Sequence, residues 1–196
     1  MSTPLFGLVL AGGQSRRMGR DKALLDYRGM SQLEWSDRLL KPLCAEVFVS
    51  SRPGQFASLP YDGCRLLQDR FHDMGPMAGI LTAFDAYPDA AWLVLACDLP
   101  YLDDATLRAL LDGRDPDRDA TAFDSAHDGL PEPLCAIYEP RFCTKLETLA
   151  AEGIRCPRKA LLNADTARLA LPAANALDNV NHPEEHDQAL RDLTGG

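Results

Sequence analysis

Residues 8–22 read LVLAGGQSRRMGRDK, an apolar run that passes directly into a loop holding Gly12, Gly13 and Gly19 together with Arg16, Arg17, Arg20 and Lys22. A backbone without Cβ atoms lets its N–H groups come close to an anion, and clustered cations neutralise it. That combination suits polyphosphate. Two familiar phosphate loops are excluded by spacing. The Walker A pattern needs its second glycine one residue earlier and then Lys-Ser/Thr, whereas Gly19 is followed by Arg20-Asp21. The dinucleotide fingerprint fails because Gly12 and Gly13 are adjacent. The loop is a third kind of phosphate cradle, and a nucleotide-handling enzyme is the first hypothesis.

Carboxylates supply the next chemistry. Asp98, in Cys97-Asp98-Leu99-Pro100, stands where the most continuous apolar run of the chain, WLVLAC, ends. A carboxylate beside a polyphosphate is unfavourable unless a cation lies between them. Magnesium, which takes one or two carboxylates plus phosphate oxygens, resolves that conflict. The plainer reading of Asp98 is a turn or helix-capping aspartate ahead of Pro100. Asp69 follows a third short apolar run and could meet a ribose, a base or a water of the metal's outer shell. Gly75 and Gly79, in Gly75-Pro76-Met77-Ala78-Gly79, would let the backbone pass close to a ligand at a helix N-terminus.

Further along, three features could serve a second substrate. Residues 129–134 form a stiff double-proline entry into a strand, and Arg155, Arg158 and Lys159 form a basic patch suited to a phosphorylated acceptor. Asn179 and Asn181 place two amides on one side of an extended segment, in reach of a ligand or a metal-bound water. The histidines His72, His127, His182 and His186 have no metal partner at ligand spacing and are expected at the surface. None of the six cysteines is in a C-x-x-C pair, so they are expected as free thiols in a reducing compartment.

The elements that must position these residues alternate between strand and helix, as in an α/β protein with a mainly parallel sheet. Strands are expected at 6–10, 46–50, 64–68, 92–97, 120–123 and 134–138. Helices are expected at 31–43, 77–86, 103–111 and 140–151, the last closed by Gly153, with a final acidic helix from Pro183. The run 92–97 should be a central strand buried on both faces. No linker separates two units, so one domain spanning 1–196 is expected. With 29 acidic against 20 basic residues and a formal charge of -9, the chain is no general nucleic-acid binder. No secretory leader or membrane-length apolar stretch is evident, so a soluble cytoplasmic protein without membrane partners is expected.

With these residues in hand, the chain resembles the molybdenum cofactor guanylyltransferase family, within the nucleotidyltransferases that carry an N-terminal L-A-G-G-x-S-x-R-M-G-x-D-K signature. That signature stands complete from Leu10 to Lys22, and the resemblance continues in order through Asp69, Gly75 to Gly79, Cys97 to Pro100 and Asn179 to Glu185. The resemblance implies a three-layer α/β/α Rossmann-like nucleotidyltransferase fold. It implies that Leu10, Ala11, Gly12 and Gly13 hold a guanine nucleotide, that Arg17 and Lys22 face its phosphates, and that Asp69 and Gly75 belong to the nucleotide site. Lys22 and Asp98 would be the catalytic pair, with Asp98 ligating Mg²⁺. Family members often carry an asparagine at the end of the second strand; this chain has Ser50 and Ser51, and the contact is assigned to Ser50.

The implied reaction is attack by the terminal phosphate of molybdopterin on the α-phosphorus of GTP, with pyrophosphate leaving. Molybdoenzymes or their chaperones would receive the product. The rivals are a cytidylyltransferase acting on the same pterin, a transferase activating a sugar or alcohol phosphate, and a non-catalytic nucleotide-binding module. The cytidylyl enzymes tend to read L-A-A-G where this chain has Leu10-Ala11-Gly12-Gly13. Retention of Lys22 and Asp98 disfavours the non-catalytic module.

Overall fold

The computed structural model describes residues 3–12, 22–56, 65–180 and 182–194. Seven strands form one sheet: β1 (Leu5–Leu10), β2 (Val47–Ser51), β3 (Arg65–Gln68), β4 (Ala91–Ala96), β5 (Ala120–Asp124), β6 (Pro131–Tyr138) and β7 (Thr166–Leu169). Their order across the sheet is β3-β2-β1-β4-β6-β5-β7. β6 runs antiparallel to both its neighbours, β4 and β5, and the other pairings are parallel. The strand order reverses between β1 and β4, the position at which open α/β sheets bind ligands beyond the carboxyl ends of their strands.

Alternating side chains build two separate cores, one on each face. Leu8, Leu10, Trp92, Val94, Ala136 and Tyr138 pack with α2 (Pro76–Ala86), α4 (Cys143–Ala151) and α5 (Pro157–Leu162). Val9, Leu93, Leu95, Cys135 and Ile137 pack with α1 (Gln32–Leu40) and α3 (Asp104–Asp112). The result is the expected three-layer arrangement. Every residue of β4 is buried, as its unbroken apolar run requires.

Local chemistry sets the helix ends. Ser31 caps α1 in a capping box: its hydroxyl accepts from the Glu34 N–H, while the Glu34 carboxylate accepts from the Ser31 N–H. Asp103 caps α3 by accepting from the Thr106 N–H. Beyond α4, Gly153 at φ +90° donates to the Ala150 carbonyl, and Ile154 donates to that of Leu149. That pair of bonds is a Schellman closure, which favours glycine.

Two elements depart from the sequence expectation. The basic stretch around Arg158 and Lys159 contains the short helix α5, and the weak apolar patch after it pairs in parallel with β5 as β7. The closing helix α6 (Pro183–Thr194) packs on Tyr27 and Val180, forming a third small apolar cluster. Among the described residues, no helix is long and apolar enough to cross a membrane.

Candidate active site

A cleft of about 690 Å³ opens at the carboxyl ends of β1, β2 and β4, within the about 300–1,000 Å³ usual for small-molecule sites. Leu10, Ala11 and Gly12 form one wall. Their backbone is fixed on both sides, since Ala11 N–H donates to the Ser50 carbonyl (2.9 Å) and the Leu10 carbonyl accepts from Cys97 N–H (3.3 Å). The Ala11 carbonyl accepts from Gln55 Nε2 (2.7 Å). A Cβ at Gly12 would stand 2.9 Å from Asp69 Oδ2, so a larger residue there would push the carboxylate away.

Asp69 leaves the end of β3 and turns back toward β2. Its N–H donates to the Ser51 carbonyl (2.8 Å), and its Oδ1 accepts from the Ser50 hydroxyl (2.6 Å). Burial pushes its pKa up, opposed by the Ser50 hydrogen bond and by the charge of Arg52. Gly75, at φ +54°, precedes the first residue of α2 and lines the cleft. Gly79 also lines the cleft and has a packing task besides. A Cβ there would lie 2.6 Å from Leu10 Cδ2 and collide with the Ser50 hydroxyl. It lets α2 press against the ends of β1 and β2.

The second wall carries the charges. Lys22 Nζ lies 3.1 Å from Asp98 Oδ2, both side chains largely buried at 16% and 21% exposure. Asp98 sits on a segment strapped from several directions. The Asp98 carbonyl accepts from Val180 N–H (3.0 Å), and the carbonyls of Leu99, Pro100 and Leu102 accept from Gln32, Arg28 and Trp35 side chains at 3.0, 2.7 and 3.1 Å. The Arg28 guanidinium also covers the Trp35 ring at 4.3 Å, and burial lowers its pKa. Tyr27, 3% exposed, lies behind the pair; burial, and then the charge of Asp98, holds its hydroxyl well above the ordinary tyrosine range.

The structure thus brings together Leu10, Ala11, Gly12, Lys22, Ser50, Asp69, Gly75 and Asp98, eighty-eight positions apart at the extremes, around one cleft. Gly13, Arg17 and Asn181 lie outside the described residues. Asn179 is exposed and beside Val180, which ties that segment to Asp98. Arg155 is exposed and directs Nη1 toward the Asp73 carbonyl at 3.5 Å, at the cleft's rim. Arg158 is engaged by two carboxylates, Asp128 at 3.1 Å and Glu132 at 3.0 Å, and does not line the cleft.

His186 is only partly exposed, not fully at the surface as expected: its ring meets that of Tyr27 at 4.8 Å, tilted by 54°, and its Nε2 is buried. His72 lines the cleft. Arg52, Gln55 and Phe71 also contribute to the site without having been singled out from the sequence. Polar residues directly after a strand, as in Ser51-Arg52-Pro53-Gly54-Gln55, are the signal that would have found the first two. No disulfide joins the described cysteines. Burial lifts the Cys44 thiol to about 12, so it is no nucleophile at neutral pH.

A mostly parallel sheet with its cleft at the reversal of strand order, walled by glycine on one side and a lysine–aspartate pair on the other, is the architecture of a nucleotide-handling α/β protein. Residues 7–169 match the MobA-like NTP transferase domain, and the chain belongs to that family of nucleotidyltransferases. It is 33% identical to the molybdenum cofactor guanylyltransferase of Pseudomonas paraeruginosa, over 92% of each chain. It is 40% identical over 95% of its length to the molybdenum cofactor biosynthesis bifunctional protein of a Synechocystis strain, of which it spans about half, 54%. Its fold matches the crystal structure of molybdopterin-guanine dinucleotide biosynthesis protein A from Archaeoglobus fulgidus with a TM-score of 0.80 at 23% identity, over 97% of this chain and 100% of that one.

Proposed function

We propose that this chain transfers the guanylyl group of GTP to the terminal phosphate of molybdopterin, giving the guanine dinucleotide form of the cofactor and pyrophosphate. The observation that carries the reading is the Lys22–Asp98 pair set across one cleft from Gly12 and Asp69. The choice of GTP over CTP rests on Gly12 and on the likeness to guanylyltransferases over nearly the whole of both chains.

Asp98 suits Mg²⁺. It lines the cleft, and among the described residues no group of three His, Cys, Asp or Glu could enclose a metal. A cation here would therefore draw most of its ligands from phosphate oxygens and water, which is how Mg²⁺ binds in phosphoryl-transfer sites. When bound, Mg²⁺ would neutralise triphosphate charge and polarise the phosphoryl oxygens. Lys22 compensates Asp98 before substrate arrives and shares its donors with the phosphates afterwards. The Leu10–Gly12 backbone and Asp69 hold the nucleoside end, fixing the α-phosphorus for in-line attack. A bond forms from the acceptor phosphate oxygen to the α-phosphorus while the bond to the α–β bridging oxygen breaks. The acceptor is already anionic at neutral pH, so the protein need supply no general base. Arg155, Asn179 and Asn181 are assigned to the pterin side, with Arg158 a further cation there once its two carboxylates yield. The product is handed on to molybdoenzymes or their chaperones in the cytoplasm.

The test supplies the pure protein with molybdopterin, Mg²⁺ and each NTP in turn and follows pyrophosphate. Release is expected with GTP alone. Equal or faster release with CTP would overturn the guanylyl assignment in favour of the cytidylyl rival.

A further inference from the structure

Ser50 holds the position at which related enzymes often have an asparagine, and that correspondence suggested a direct contact with the nucleotide. Its surroundings suggest a different task. The residue is 1% exposed at the end of β2, and its hydroxyl hydrogen is committed to Asp69 Oδ1 at 2.6 Å. A hydroxyl has one hydrogen to donate, so none remains for a ligand. α2 covers it from above, where Gly79 leaves no room between the helix and the serine.

Asp69, by contrast, is tied at two points, and its second carboxylate oxygen faces Gly12. Its N–H is tied to the Ser51 carbonyl, Oδ1 to Ser50, and Oδ2 stands 2.9 Å from where a Cβ on Gly12 would be. One carboxylate oxygen is thereby held inward to β2, and the other lies toward the glycine wall of the cleft. Arg52 is the cation whose field reaches it. A carboxylate left to rotate would have to be ordered at each binding event; one already held loses nothing further.

We propose that Ser50 is a positioning residue that acts on the nucleotide only through Asp69, by aiming its outer carboxylate oxygen at N–H or O–H donors of the nucleoside. Gly79 is part of the same device, because any side chain there would displace the serine hydroxyl. The proposal rests on the reading of the cleft as the GTP site.

The test is a double-mutant cycle on the intact chain, with GTP affinity measured by isothermal titration calorimetry and turnover measured with molybdopterin. Ser50→Ala should weaken GTP binding about tenfold, the scale of one hydrogen bond to a charged group, with kcat at saturating GTP within about twofold of wild type. In an Asp69→Ala background, adding Ser50→Ala should change affinity by less than about twofold. Ser50→Cys, similar in size with a weaker donor, should fall between serine and alanine. Equal losses from Ser50→Ala in both backgrounds would overturn the proposal, as would unchanged affinity in the single variant. A cysteine variant that binds more weakly than alanine would also overturn it. A wild-type protein that binds no GTP would overturn the site reading along with it; additive losses on a protein that does bind GTP overturn the positioning role alone.

Discussion

The ammonium of Lys22 and the carboxylate of Asp98 meet before any substrate arrives, and this order of events decides what each residue can do. Neither charge is left uncompensated in a poorly solvated wall, and on the proposed reading a triphosphate entering the cleft would find a cation already aimed. Replacing Asp98 by alanine should lower turnover by about 100-fold or more, the scale seen when a preorganised charge-stabilising group is deleted. The far-UV circular dichroism should not change. Turnover within about twofold of wild type would remove Asp98 from the metal-binding role. Asp69 and Asp98 were legible from the sequence because each stands at the end of an apolar run, where side chains reach the sheet's edge, and Lys22 because it closes the cationic glycine loop. The Ser50–Asp69 bond was not legible. It joins residues nineteen positions apart through the parallel register of β2 with β3, and register leaves no local trace. The pairing of Arg158 with Asp128 and Glu132 escaped for the same reason: a basic patch in sequence becomes an ion-pair network once β6 lies beside α5.

Among the elements, α1 does more than cover the sheet. Gln32 and Trp35 on this helix donate to the segment that carries Asp98, so the helix's first turn is part of the site's scaffolding. Its N-terminus depends on the Ser31–Glu34 capping box. Hydrogen bonds from the Ser31 side chain and backbone hold the Glu34 carboxyl below its ordinary 4.5. A depressed folded-state pKa contributes stability that is present above the unfolded value and lost as pH falls through the folded one. Ser31→Ala should therefore cost about 1 kcal/mol in urea unfolding at neutral pH. The difference from wild type should shrink near about pH 3. A pH-independent difference would mean that the carboxylate does not contribute to the cap. The strands β1, β2 and β4 were readable because they are buried runs of Leu, Val and Phe. β7 was not, since Thr166-Ala167-Arg168-Leu169 is a half-exposed edge with one arginine and little hydrophobic contrast.

Taken as a whole, the molecule keeps its candidate site and a buried two-bond ion pair at opposite ends of the sheet. Arg114 grips Glu139 in two bonds of 2.6 and 2.9 Å beyond the other end of β6, where Glu139 is 1% exposed. Arg114→Leu strands a buried carboxylate and should cost about 3–5 kcal/mol, read by denaturant unfolding. Adding Glu139→Leu should recover most of that loss. GTP affinity of the folded protein should not change; a matching loss of affinity would show that the two ends are coupled.

The single reversed strand has one more consequence. Because β6 runs against its neighbours, it brings a hairpin tip, residues 125–130, to an edge otherwise built from strand endings. The tip is closed by Ser125 and Leu130 and turns at Gly129, φ +66°. A strand ending cannot be lengthened without shifting the helix that follows it, whereas a hairpin tip can grow or shrink while both its strands stay in register. The wall proposed to hold the nucleotide, on β1 and β2, is separated from that tip by β4. The fold thus separates a constant half from an adjustable one, and a designer seeking a new acceptor would begin at that tip and leave the glycines alone.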